Sequence, residues 1–447
     1  MCATASVIDQ AATIEATAPA PLAAVKPASP KASTALWIAL LSRLVVLASA
    51  SGAVLVLGFG PPRKVFAHAQ LTHGFGAVGN VLLAGSARWD AAWYLLIAKA
   101  GYAPSLGSAT VARAAFFPLY PLLIKAFSFG AGGIAAAVAG LAVSLIAFFL
   151  SAVLLYKLAY LELTEVVGFA PASAQRGAAV AVAACGLGPV AFFFSAIYPE
   201  SLFLCLSLAA FWFARSRRFL PAGACAGLAA ATRPTGVVLV VPLLLFYLYG
   251  TARITVQGER LTGLQPRFPL KRDLGWLLLC PLGLIAFSLY LVAAGGSATA
   301  PFSAESLWGR SFAGPLSALI EGASSAWSGL LALLGRASSA TQVAASHNVE
   351  LFGFALFALL AVWGTVRRLP LPYGAYMVAA LLIPLSYPAA GEPLMSLPRF
   401  LLVLFPTYIW LGSALAEHRW LARAVVVGCA LSLVFFTGAF ATWHWVS

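Results

Sequence analysis

The feature that most constrains this chain is its run length of uncharged apolar residues. A helix needs about 20 such residues to cross a hydrocarbon core, where its backbone groups can bond only to one another. Apolar runs of about that length, each with at most one charged residue, cover 35–58, 132–156, 176–194, 197–214, 274–294, 350–366, 373–388, 398–415 and 421–441. The stretch 219–250 is also apolar, except for Thr232-Arg233-Pro234-Thr235-Gly236 at its centre. Proline breaks helices and a mid-bilayer charge is costly, so this stretch reads as two short spans joined at Arg233. The expected fold is therefore an all-α polytopic membrane protein with about eleven transmembrane helices. Composition agrees: 62% of residues are hydrophobic and 9% charged, against roughly 25% charged in soluble domains.

Residues 1–34 are rich in Ala, Pro, Ser and Thr and read as a disordered tail. The membrane domain then runs 35–447, with long loops at 59–131 and 295–349. In the first loop Trp89, Trp93, Leu96, Ile97 and Ala100 recur at helical spacing, which predicts an interfacial helix. The net charge of +14 is dispersed between the apolar runs, which suits membrane lipids and excludes a nucleic-acid partner. With the N-terminus cytoplasmic, the short basic segments 157–176, 215–218, 253–273, 367–368 and 418–423 all fall on the cytoplasmic side. Reading 219–250 as one span would move the last two to the other side. The hairpin reading leaves the C-terminus external.

This topology sorts the rare ionisable residues. Of three aspartates, Asp9 lies in the tail and Asp273 is cytoplasmic, so Asp90 in Arg88-Trp89-Asp90 is the only external one. The same side receives Glu200, Arg233, Arg399 and Glu392, with Glu305, Arg310 and Glu321 in the 295–349 loop. Ionisable groups at the edges of apolar spans are functional candidates. Asp90 opens a helix, where it is either an N-cap or a general base beside Arg88. Trp89 is either an interfacial anchor or a surface for a sugar or prenyl chain. Arg233 and Arg399 either snorkel or bind a lipid phosphate through the guanidinium fork. Glu200 either caps the helix after Tyr198 or bonds a substrate hydroxyl. Tyr94 and Tyr198 are further candidates for the substrate side.

No P-loop, dinucleotide fingerprint, HExxH or Asp-x-Asp pair is present. A nucleotide sugar held by a metal is thus poorly supported, no metal ligands are assigned, and no cofactor is assigned beyond an unassigned divalent ion. A single carboxylate with arginines suits a monophosphate donor. Six scattered cysteines support neither a disulfide framework nor a zinc site.

Four segments carry a resemblance. They are Arg88-Trp89-Asp90 with Tyr94 and Gly101-Tyr102; Phe116-Phe117-Pro118 with Pro121; Ala196–Leu202 with Tyr198 and Glu200; and Ala231-Thr232-Arg233 with Gly236. Pro398-Arg399-Phe400 is a fifth. In these the chain resembles the GPI mannosyltransferase 2 (PIG-V-like) family of GT-C membrane glycosyltransferases, over about 37–440. The resemblance implies transfer of mannose or a related hexose from a polyprenyl- or dolichyl-phosphate carrier to a lipid-linked or glycan acceptor on the non-cytoplasmic face. It implies an inverting displacement with Asp90 as catalytic base and Arg233 and Arg399 on the leaving phosphate. The Ala- and Arg-rich composition points to a bacterial plasma membrane, or to the endoplasmic reticulum if the source is eukaryotic. The alternative reading is a transporter or flippase of lipid-linked sugars, against which no internal repeat is found.

Overall fold

The computed structural model describes residues 31–60, 72–102, 112–253, 255–257, 260–262, 266–336 and 339–446. The tail up to residue 30 and parts of the 59–131 loop and of the 253–273 segment lie outside the described residues. The described chain is helical apart from a small hairpin, β1 (Thr255–Gln257) with β2 (Arg260–Thr262).

In chain order the helices are α1 (Ala32–Leu57), α2 (Gly76–Leu83), α3 (Ala91–Ala100), α4 (Leu119–Phe127) and α5 (Ile134–Leu161). Next come α6 (Pro171–Leu187), α7 (Glu200–Arg215), α8 (Phe219–Ala230) and α9 (Val240–Tyr249). Then follow α10 (Leu282–Ala293), α11 (Ala300–Ser303), α12 (Ser317–Leu331) and α13 (Ser339–Arg368). The last four are α14 (Leu371–Leu385), α15 (Leu397–Leu402), α16 (Pro406–Leu415) and α17 (Arg419–Ala441). Five helical stretches are long and apolar enough to cross a membrane: 32–57, 134–166, 317–335, 344–368 and 419–441. A sixth arises if 272–279 and 282–293, bent by 45°, count as one. This is a multi-pass membrane architecture, and the expected count of about eleven resolves into fewer long helices plus short ones.

The shortfall has a physical cause. Helices α7, α8, α9 and α14 have 16, 12, 10 and 15 residues. At 1.5 Å per residue they rise about 15–24 Å, less than a hydrocarbon core of about 30 Å. The end of α7 at Glu200 and that of α8 at Ala230 are fully buried, so these helices stop inside the molecule on that side. The segment 295–349, expected as a loop, contains α12 and the start of α13. Small residues in SALIEGASSAWSGLL dilute its apolar character, which hides the helix from a search for bulky apolar runs.

The hairpin at 219–250 is present. Arg217 Nη1 donates to the carbonyls of Phe246 (2.8 Å) and Tyr247 (2.7 Å), so the open ends of α8 and α9 meet. Thr232 and Arg233 form the tip. Gly236 permits the turn, since a Cβ there would collide with the Ala229–Ala230 backbone. Elsewhere small residues bring helices together, as expected where lipid removes the hydrophobic drive between them. Gly177 of α6 and Gly412 of α16 face each other so closely that a Cβ on either would meet the other's carbonyl.

The bundle has two chemically distinct ends. Arg217, Arg253, Arg368 and Arg176 gather at one. Arg253 donates to the Arg367 carbonyl at 2.7 Å, and Arg176 to the Ala416 carbonyl at 3.1 Å. There Arg215 also pairs with Glu162 (2.5 Å) and Glu165 (2.9 Å). The other end holds Asp90, the tip of the α8–α9 hairpin, α15 and the segment after α17.

Candidate active site

The site is built around a turn that has little freedom. Trp89 has φ 52°, a left-handed conformation rare for a bulky residue and one that must be held by its surroundings. Two clamps hold it. Tyr198 Oη accepts the Asp90 backbone N–H (2.9 Å) and donates to the Arg88 carbonyl (3.1 Å). Arg88, 1% exposed, donates from Nε to the Ala441 carbonyl (3.0 Å) and from Nη1 to Thr72 and Ala87 (both 3.1 Å). Burial pushes the Arg88 pKa down to about 10. The Ile197 N–H to Ser86 carbonyl bond (2.8 Å) ties the two segments again.

Asp90 occupies the N-cap position of α3, yet its side chain makes no capping bond. Its Oδ2 instead receives Arg399 Nη1 at 2.8 Å. The same guanidinium reaches Glu200 Oε1 through Nη2 (2.9 Å) and Nε (3.1 Å), and Arg233 Nη1 reaches that oxygen at 3.2 Å. Four side chains from α3, α7, the hairpin tip and α15 thus form one alternating cluster of two carboxylates and two guanidiniums. Glu200 is fully buried and Arg399 is 8% exposed. Ser396, two residues before the start of the Pro398-Arg399 turn of helix, also has a positive φ, 66°. Both short segments that carry the Asp90–Arg399 pair are therefore backbone-constrained.

A cavity of about 400 Å³ opens onto this cluster. Asp90, Tyr94, Arg233 and Arg399 line it, together with Phe116, Glu305, Trp308, Arg310 and Trp445. Arg88, Trp89, Tyr198 and Glu200 do not line it and stand behind it. They hold the lining residues in place. Trp89 is 7% exposed and packs against Trp443 and Trp445, with ring centroids at 5.7 and 5.0 Å. Tyr94 packs edge-on against Phe116 and Tyr120, at 5.2 and 5.3 Å.

Of the lining residues only Asp90, Tyr94, Arg233 and Arg399 were site candidates in the sequence; Glu305, Arg310 and Trp445 are among those that were not. Arg310 donates to the Met395 carbonyl at 2.6 Å and its Nε lies 3.5 Å from Glu305 Oε2. Burial raises the Glu305 pKa, with Arg310 opposing the shift. Both residues are visible in sequence as external charges, but nothing local marks them as neighbours of Asp90. Trp445 carries no sequence signal beyond being a tryptophan after the last span. Arg43, inside α1 and away from the cavity wall, was also not a sequence candidate. It donates to the Ala191 carbonyl (2.8 Å), Ser195 Oγ (2.9 Å) and the Gly186 carbonyl (2.6 Å), anchoring the turn that leads into Tyr198 and Glu200. Among the described residues no group of three or more His, Cys, Asp or Glu side chains is placed to hold a metal.

A multi-pass helical membrane protein with a charged, carboxylate- and arginine-bearing cavity at one end of its bundle is the class that fold and site define. Residues 59–255 match the family model of the PIG-V mannosyltransferases, and this part of the chain, which contains Asp90, Glu200 and Arg233, is similar to that family. The match supports a mannosyltransferase role in glycosyl transfer. It is narrower than the 37–440 expected from the motifs, and Arg399 falls outside it. No curated protein and no solved structure matches the chain.

Proposed function

We propose that this protein transfers mannose from a polyprenyl- or dolichyl-phosphate carrier to a hydroxyl of a lipid-linked acceptor, with Asp90 as general base. The observation that carries the reading is Arg399, which bonds Asp90 (2.8 Å) and Glu200 (2.9 Å) at the wall of one cavity, beside Arg233. The four charges of that cluster cancel, so an incoming phosphodiester anion adds one negative charge facing two guanidiniums. Planar guanidiniums are suited to phosphate oxygens. As the phosphate engages Arg399 Nη1, it competes with Asp90 Oδ2 for that donor and releases the carboxylate toward the acceptor.

The acceptor oxygen then forms a bond to the anomeric carbon while Asp90 takes its proton. The bond from that carbon to the phosphate oxygen breaks, and the electron pair leaves on the lipid phosphate. Arg233 and Arg399 offset the charge growing there. Attack opposite the leaving group inverts the anomeric configuration. Glu200, without access to the cavity, orients both arginines. Tyr198 and Arg88 fix the Asp90 turn. The basic end of the bundle is the cytoplasmic one by the excess of Lys and Arg in short loops, which puts the cavity, and the segment after α17, on the outer face. The N-terminus is then cytoplasmic, and the Ala- and Arg-rich composition favours a bacterial plasma membrane, with the endoplasmic reticulum as the location in a eukaryote.

The test is direct. Membranes containing the protein are given a polyprenyl-phosphate donor carrying labelled mannose, and label is followed into glycolipid. Transfer that depends on Asp90 is the expected result. Movement of the intact donor across vesicles without a new glycosidic bond would replace this reading with that of a flippase.

A further inference from the structure

Among the parts of the cavity wall to which the mechanism above gives no role is the segment after α17. Arg88 Nε grips the carbonyl of Ala441, the last residue of α17. The chain then turns through Trp443, whose φ of 64° is again left-handed. This reversal sets Trp443 against Trp89 and over the Arg88 guanidinium, 5.1 Å from the ring centroid. Two residues later Trp445 reaches the cavity. It is half-buried, and its ring stands at 70° to Trp89 with centroids 5.0 Å apart.

Position on the wall separates Trp445 from the other aromatic groups. Trp308 is held by Phe116, at 5.8 Å, beside Glu305 and Arg310. Phe400 lies against the phosphate side, with the Arg233 guanidinium 5.3 Å from its centroid. Trp445 is held by Trp89, the residue immediately before Asp90. A base removes a proton from the acceptor, so the acceptor must come against the Asp90 turn that holds Trp445, whereas Arg399 and Arg233 mark the side of the leaving lipid phosphate. A pyranose has C–H faces that pack on an indole, while its hydroxyls point outward in the ring plane toward polar partners.

We propose that Trp445 is the platform on which the accepting sugar ring packs, so that one of its hydroxyls is presented to Asp90. This rests on the transferase reading and specifies its acceptor chemically, as a lipid-linked glycan ending in a pyranose. The segment after α17 is then a specificity element, fastened to the catalytic turn by Arg88 and Trp89.

The experiment uses the full chain in detergent and labelled octyl α-mannopyranoside as the probe, with binding measured by equilibrium dialysis. Trp445→Ala and Trp445→Leu should each weaken binding by about three- to tenfold, the range of one aromatic contact. Trp445→Phe should restore most of it. Thermal unfolding of each variant checks the fold. In transfer assays the same substitutions should raise KM for the acceptor and leave KM for the donor unchanged. Binding by Trp445→Leu equal to that by Trp445→Phe would overturn the platform, as would absence of binding by the wild-type protein or a shift confined to donor KM. Glycoside binding that depends on Trp445, in a protein that transfers no mannose from lipid phosphate, would sink the transferase reading and leave the platform standing. Normal transfer with indifference to Trp445 would do the reverse.

Discussion

Replacing Glu200 with Gln tests how the charge cluster works. Glu200 is fully buried, and its Oε1 accepts three N–H groups, from Arg399 Nη2 (2.9 Å), Arg399 Nε (3.1 Å) and Arg233 Nη1 (3.2 Å). Its Oε2 has no partner, so a Gln amide nitrogen fits there without displacing a bond. The substitution therefore keeps the shape and one acceptor but deletes the charge. A hydrogen bond to a charged acceptor contributes about 1.5–3 kcal/mol and a neutral one about 0.5–1.5 kcal/mol. The difference is about 1 kcal/mol per bond, hence about 3 kcal/mol for three bonds. That agrees with the ~3–5 kcal/mol lost when one partner of a buried ion pair is removed. Two guanidiniums are then left facing each other with Asp90 alone between them. Glu200→Gln should lower stability to chemical denaturation in detergent by about 3 kcal/mol. It should also cut the turnover of mannose transfer by roughly a hundredfold or more, the cost of misplacing a transition-state donor. In a double-mutant cycle with Arg233→Gln the losses should be less than additive, because the second change removes one of the stranded cations. Unchanged stability with a raised acceptor KM would refute the reasoning. That result would mean that Glu200 contacts a substrate hydroxyl rather than the arginines.

Asp90→Asn should lower transfer by about a hundred- to ten-thousandfold, the span of general-base contributions, while expression persists and stability falls by only about 1 kcal/mol, the difference for one charged bond, since Arg399 keeps both bonds to Glu200; transfer at the wild-type rate would remove Asp90 from the chemistry. Gly236→Ala should open the hairpin tip against the Ala229–Ala230 backbone and displace Arg233, seen as a raised donor KM together with lower thermal stability. Glu305 has a pKa raised by burial above its ordinary value of 4.5. Folding therefore favours its protonated form, and its contribution to stability is present at acid pH and lost as pH rises from about 4.5 through the raised value. A plot of melting temperature against pH should flatten over that window in Glu305→Gln; an unchanged slope would remove Glu305 as its source. Cysteines placed at Ala390, at the cavity end, and at Arg367, at the basic end, both exposed, should label from opposite sides of sealed membranes, with Ala390 external.

The sequence by itself determined the solvent of this protein. Apolar run length is a local property, and it located α1, α5 and α17, and the far end of α13, within a few residues. It also placed the break at Arg233, because the proline that follows it interrupts a helix and a charge there is costly in mid-bilayer. The residues Asp90, Glu200, Arg233 and Arg399 were legible for the same reason, since ionisable groups are rare and costly in such a chain. What those residues do to one another was not legible. In sequence Asp90 and Glu200 were as easily read as helix caps and the arginines as snorkelling. The structure gives none of them that use, because Arg399, 309 residues from Asp90, supplies a closer partner. Helix α12 was missed because its small residues pack against neighbours and so do not need bulk. Trp445 was missed because no local pattern marks a residue whose role is set by the docking of the segment after α17 on Arg88. Hydropathy is written residue by residue, whereas a site assembled from α3, α7, α15 and that segment depends on how short helices end inside the bundle. Only tertiary packing decides that.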